Sequence, residues 1–164
     1  MPRPSPEEAN STPAAPPVGI PVALVGGPLL PEHLGLFDLL ERAGAAAVLN
    51  GTTNGERTMP AAFAPARLRD APMHALADAY FGCIPDAFRR PNTQLYEWLS
   101  HELSARSVRG IVLHCYKWCD TWRIEAQRMK EWSPVPLLLV TSGAENPASG
   151  HTASRIEAFV EMLK

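Results

Sequence analysis

The stretch Arg109-Gly110-Ile111-Val112-Leu113-His114-Cys115-Tyr116-Lys117-Trp118-Cys119-Asp120-Thr121-Trp122-Arg123-Ile124-Glu125 decides how the chain is read. Ile111, Val112 and Leu113 form a short apolar, partly β-branched run, which suits a strand buried on both faces. From Asp120 onward the spacing becomes helical, with Ile124 and Met129 apolar among Arg123, Glu125, Arg128 and Lys130. A strand, a turn and a helix in that order place the turn at the carboxyl edge of a sheet, where open α/β proteins keep their sites. The first N–H groups of the helix point into the turn and carry partial positive charge. Such a place favours anions and lowers thiol pKa values. Two of the three cysteines, Cys115 and Cys119, lie in or beside this turn. It is the candidate site.

Working outward, the same alternation recurs. Gly19 to Val25 reads as a strand through Ile20, Val22, Leu24 and Val25, with Pro21 tolerable near its start. Gly26-Gly27-Pro28 turns the chain, and Glu32 to Ala43 reads as a helix with Leu36, Leu39 and Leu40 on one face. Gly44 stops it, and Ala45 to Leu49 is a second strand, so the unit is βαβ with parallel strands. Asn50 to Pro72 reads as a long loop, and loops of that length in a compact domain are commonly functional or mobile. A short helix over Met73 to Tyr80 precedes Phe81-Gly82-Cys83-Ile84-Pro85-Asp86, which brings in the third cysteine. Asn92 is placed to cap a helix running through Arg106, with Leu95, Trp98, Leu99 and Leu103 at helical spacing. Beyond the central strand and helix, Val135 to Val140 is the last strand and Ser142-Gly143 the next carboxyl-edge turn. Ser154 to Leu163 is the closing helix, with Ile156, Phe159, Val160 and Leu163 in line. The expected fold is a three-layer flavodoxin- or Rossmann-like α/β domain with a mostly parallel sheet of about four strands.

Composition narrows the function classes. The 164 residues suffice for one α/β domain over residues 18–164. Met1 to Pro17, rich in Pro, Ser and Ala, reads as a disordered tail or linker. A formal charge of −2 offers no basic nucleic-acid surface. No apolar run reaches the ~20 residues of a membrane span, and no signal-peptide core stands at the amino terminus. Three cysteines without a secretion signal point to a reducing cytoplasm, with thiols free or bound to metal.

The cysteines admit several readings. Cys115-x3-Cys119 is compatible with ordinary buried thiols. A zinc site would need a fourth ligand beside Cys83, Cys115 and Cys119, and His114 is the nearest, yet neighbours on a strand point to opposite faces. A [4Fe–4S] cluster held by three cysteines, with one iron open, fits the count better. His74, His101 and His151 read as surface or satisfied histidines, and Trp98, Trp118, Trp122 and Trp132 as core or interface residues. No Gly-x-Gly-x-x-Gly follows the first strand, so a dinucleotide site is not indicated.

Several motifs together resemble the 2-hydroxyacyl-CoA dehydratase family, which includes the benzoyl-CoA reductase subunits. They are Gly55-Glu56-Arg57-Thr58, Ala77-Asp78-Ala79-Tyr80-Phe81-Gly82-Cys83-Ile84-Pro85, Arg89-Arg90-Pro91-Asn92, Arg109-Gly110-Ile111, Tyr116-Lys117-Trp118-Cys119-Asp120 and Arg155 to Leu163. The resemblance runs from about Gly19 to the carboxyl end and is to the carboxyl-terminal half of such subunits. It implies a subunit bearing an iron–sulfur cluster that receives a low-potential electron from an ATP-dependent activator protein. The acyl-CoA substrate would then be dehydrated through a ketyl radical, or an aromatic acyl-CoA reduced. It further implies Cys83, Cys115 and Cys119 as cluster ligands, Cys119 matching most closely, with Lys117 and Asp120 flanking the cluster. The family's upstream α/β domain would come from a second subunit or domain. The rival expectation is a non-catalytic half-domain, acting in assembly or electron relay or persisting without a cluster.

Overall fold

A computed structural model describes residues 18–60, 62–143 and 150–164. The expected tail, Met1 to Pro17, lies outside the described residues. Four strands, β1 (Ile20–Gly26), β2 (Ala45–Gly51), β3 (Gly110–Tyr116) and β4 (Leu137–Ser142), form one sheet in the order β2-β1-β3-β4. Every neighbouring pair is parallel. The helices are α1 (Gly35–Arg42), α2 (Pro65–Asp70), α3 (Pro72–Ala77), α4 (Thr93–Ala105), α5 (Asp120–Trp132) and α6 (Gly150–Met162).

The strands are apolar at successive positions because both faces of the sheet are covered. Ala23, Val25, Ile111, Leu113 and Cys115 pack with Leu95, Leu99 and Leu103 of α4 and Trp122, Ala126 and Met129 of α5. The alternate residues Val22, Leu24, Val112 and Val140 pack with Leu36, Leu39 and Leu40 of α1 and Ile156, Phe159 and Val160 of α6. This is the expected three-layer α/β arrangement. Gly44 ends α1 as anticipated: its φ of +90° is one that L side chains rarely adopt.

Local readings fare unevenly. The helix expected from Glu32 is split into a 3₁₀ turn at Pro31–His33 and then α1, while α6 starts at Gly150 rather than at Ser154. The expected loop from Asn50 to Pro72 contains a 3₁₀ turn at Glu56–Thr58 and the whole of α2, whose Pro65 occupies a first-turn position where no N–H is needed. Asn92 precedes α4 but gives no side-chain cap; its carbonyl accepts from Leu95 N at 3.1 Å and its Nδ2 is buried without a partner. The amphipathic reading of α5 reverses in one respect. Trp122, Glu125, Ala126 and Met129 are buried, whereas Ile124 is 52% exposed.

Candidate functional site at the carboxyl edge

From β1 the chain moves to one side to make β2, and later to the other side to make β3 and β4. The crevice between β1 and β3 is therefore the switch point where open α/β sheets gather their functional groups. Gly26 ends β1 there with a φ of +137°, and a Cβ on it would stand 1.9 Å from the His114 carbonyl oxygen. Only glycine lets the end of β1 lie this close to β3. Three groups of side chains surround the crevice.

The first is built on Arg57, which is 1% exposed. Its Nε donates to the Gly51 carbonyl at 3.0 Å, and Nη2 donates to the Gly26 carbonyl at 3.2 Å and to Thr53 Oγ1 at 2.9 Å. Nη1 donates to the Pro85 carbonyl at 2.8 Å and pairs with the Asp86 carboxylate. The guanidinium also lies over the Trp122 ring, 5.2 Å from its centroid. One side chain thus ties the ends of β1 and β2 to the segment that follows Cys83. Neighbouring loop contacts reinforce it: Leu29 N donates to Asn54 Oδ1 at 2.6 Å, and Thr52 Oγ1 to Asn50 Oδ1 at 2.7 Å.

A second group lies on the other face of the sheet. His33 and His114 are both fully buried, with ring centroids 4.7 Å apart, and Tyr116 packs against the two at 5.4 and 5.7 Å. His33 Nδ1 accepts from Leu30 N at 3.2 Å, so its Nε2 carries the proton donated to the Gly143 carbonyl at 2.9 Å. His114 Nε2 and Ser142 Oγ are 2.6 Å apart, and His114 Nδ1 is buried with no partner. Burial, and then the neighbouring His33, push the His114 pKa down to about 4. Two rings and a hydroxyl thereby join the turn after β1 to the ends of β3 and β4.

The third group is the cysteine turn. Cys115 is fully buried beneath α5, on the face opposite His114, as strand alternation requires. Burial first, and then nearby Cys119, raise its thiol to about 11, the opposite of activation. Cys119 is half-buried at the N-cap of α5, where its N donates to the Tyr116 carbonyl at 3.0 Å and its carbonyl accepts from Arg123 N at 3.1 Å. Lys117 and Asp120 flank it at the surface, and Trp118 projects with 91% exposure. Cys83 is exposed and lines a separate cavity of about 260 Å³ with Phe63, Arg67, Ala75 and Asp78. Cys115 and Cys119 are thus neighbours, while Cys83 opens onto the α2–α3 side.

Among the described residues no group of three or more His, Cys, Asp or Glu side chains could hold a metal ion. The expected set of Cys83, Cys115 and Cys119 is not gathered into one cluster site in the isolated chain, and the core position of Cys115 is the physical obstacle. His74, His101 and His151 are exposed, as read.

The role of Arg57, the pairing of His33 with His114 and the burial of Glu125 were not read from the residues. Glu125 is fully buried, accepts from Tyr96 Oη at 2.6 Å and pairs with Arg128 and Arg90. Burial, and then that contact, raise the Tyr96 hydroxyl well above its usual range. One signal was available: Glu125 falls three residues after Trp122 and four before Met129, on the apolar stripe of α5.

The family model described as 2-hydroxyglutaryl-CoA dehydratase, D-component, matches residues 5–163. No curated protein matches the chain. Among the described residues no helix is long and apolar enough to cross a membrane.

Proposed function

The chain belongs to the 2-hydroxyglutaryl-CoA dehydratase D-component family, and from that premise we propose that it is one component of a 2-hydroxyacyl-CoA dehydratase, a lyase that removes water from an acyl-CoA. The observation that carries this reading is the family match over residues 5–163. A crevice at the sheet's switch point, bordered by a thiol at a helix N-terminus, supports it. The benzoyl-CoA reductase type of reaction, reducing an aromatic acyl-CoA, belongs to the same reading.

The finer proposal concerns the cluster and the partners. Cys119 and Cys83 have solvent-facing surface and are the thiols this chain can present to an iron–sulfur cluster. Cys115 stands behind Cys119 and reaches such a cluster only if the turn rearranges. A set of three thiolates is therefore completed at an interface with a second subunit or domain, and an ATP-dependent activator protein supplies the electron. Bound there, a [4Fe–4S] cluster would supply one-electron chemistry and an open iron. Lys117 and Asp120 are proposed to set the charge around Cys119, a role that long-range electrostatics in a closed site makes consequential. Acyl-CoA radical chemistry needs a cleft that excludes water, and Trp118, Phe88 and Phe81, each exposed in this chain, are apolar surface suited to cover by another protein.

The second reading is a non-catalytic component that assembles or relays electrons without a cluster of its own. The observation behind it is Cys115, whose thiol lies fully buried in the core beneath α5. Anaerobic purification of the chain, alone and with a second family subunit, separates the two. Iron and acid-labile sulfide that appear with the partner, fall in Cys119→Ser and accompany activator-dependent loss of a 2-hydroxyacyl-CoA support the dehydratase. Iron-free protein and no turnover in any combination would leave the relay reading standing.

A further inference from the structure

Ile156, Phe159 and Val160 of the closing helix are core residues, but Arg155 of the same motif is not explained by the core. It reaches an edge of the sheet. β4 is an edge strand, and its Pro136 and Ser142 carbonyls face β3, accepting from Ile111 N and Lys117 N at 2.9 Å each. Because backbone groups alternate along a strand, the carbonyls of Leu137, Leu139 and Thr141 face away from the sheet. Arg155 Nη2 donates to the middle one, the Leu139 carbonyl, at 2.8 Å.

The opposite edge carries the same device. Along β2 the pairing passes from Val22↔Ala47 to Ala23↔Leu49, so Val48 is left out of the ladder as a bulge. Arg106 Nη1 donates to the Val48 carbonyl at 2.6 Å. Glu56 and Glu102 hold that guanidinium in place, at 2.6 and 2.8 Å from Nη2. Each open edge of a sheet is a template for another strand, and a charge placed on it is a known means of blocking the template. We infer that Arg106 and Arg155 close the two edges of this sheet against strand addition by a second copy of the chain.

The mechanism is local. A strand added beside β4 would take the Leu139 carbonyl and leave the Arg155 guanidinium without that acceptor. Removing the side chain frees the carbonyl and takes the charge away from the edge. Arg155 is the cleaner test, since Arg106 also carries the ion pairs with Glu56 and Glu102.

The experiment is light scattering on the full chain over a range of concentrations, with circular dichroism confirming the fold. Wild type keeps one mass throughout, and Arg155→Lys does the same. Arg155→Ala rises about twofold or more in mass with concentration. Arg155→Ala combined with Leu139→Pro returns to the single mass, because proline removes an outward donor without touching the β3 ladder. If Arg155→Ala does not fold, Arg155→Gln takes its place, and slowed hydrogen exchange at Leu139 and Thr141 on association reports the same edge. Arg155→Ala, or Arg155→Gln standing in for it, that folds and keeps the wild-type mass overturns the inference. So does association that Leu139→Pro fails to reverse, or wild-type association that Leu139→Pro abolishes.

Discussion

At the carboxyl ends of β1 and β2, all five N–H groups of Arg57 meet acceptors inside the chain. On the other side of β1, the turn after the adjacent strand β3 leaves Trp118 at 91% exposure and Cys119 only half-buried. Both regions border one crevice, yet one is complete within this chain and the other presents its most distinctive side chains outward. A buried cation cannot wait for a partner, because an unpaired charge in the interior costs several kcal/mol, of order 3–5. An indole and a thiol at the surface can wait, since neither carries a charge that must be neutralised for the chain to fold. The Arg57 side is therefore a scaffold, and the Trp118–Cys119 side is where a contribution from another protein would tell.

The largest expected effect tests the scaffold. Arg57→Ala removes donors from three carbonyls and leaves Asp86 without its partner, with a loss of about 3 kcal/mol or more. Arg57→Lys recovers a minor part, because one ammonium cannot reach in the five directions that the guanidinium serves. Denaturant midpoints measure both. A loss below about 1 kcal/mol, the worth of one ordinary hydrogen bond, would show the pocket to be dispensable to folding.

A smaller effect concerns the histidine group, which is closed but not fully satisfied. His114 is held at about 4 in the folded chain, against about 6.5 when unfolded. Between these values the unfolded chain binds the extra proton, so stability rises with pH through the window. The contribution is complete above about pH 6.5 and falls away as pH drops toward 4. From pH 7 to pH 5 this group alone costs about 2 kcal/mol by linkage. His114→Gln should flatten that part of the stability profile measured by chemical denaturation. An unchanged slope in the variant would assign the acid sensitivity to other groups.

The layer order was legible because each strand and helix states its own periodicity. Ile111 to Leu113 buries both faces, and Leu36, Leu39 and Leu40 bury one. The cysteine turn was legible for the same reason, since strand, turn and helix are consecutive. What escaped involves residues far apart in the chain. His33 and Gly143, 110 residues apart, meet only after the sheet is assembled, and Arg57 finds Pro85 and Asp86 across 28 and 29 residues. No spacing rule reaches such pairs. Cys115 shows the reverse case: its proximity to Cys119 in sequence suggested a shared ligand role, and strand alternation sets it in the core beneath α5, a position no local spacing announces. Glu125 escaped because a carboxylate on an apolar stripe reads as surface unless its partners, Tyr96, Arg128 and Arg90, are known.

The smallest expected effect on stability is the sharpest on the comparison. Trp118 and Trp122 stand four residues apart, yet Trp122 is 1% exposed beside Arg57 and Met129 while Trp118 touches little but solvent. Trp122→Ala should cost about 3–5 kcal/mol, as for other large aromatic side chains removed from a core. Trp118→Ala should stay within about 0.5 kcal/mol of wild type, because an exposed side chain loses little on truncation. If the open side of the crevice receives a second family subunit, the same Trp118→Ala weakens that association. A centrally buried tryptophan at an interface is commonly worth 2 kcal/mol or more, roughly a thirtyfold change in Kd. The pair of measurements is decisive only together. A Trp118→Ala chain that loses stability would show that Trp118 belongs to the scaffold after all. One that keeps both its stability and its partner affinity would move the proposed interface away from the cysteine turn.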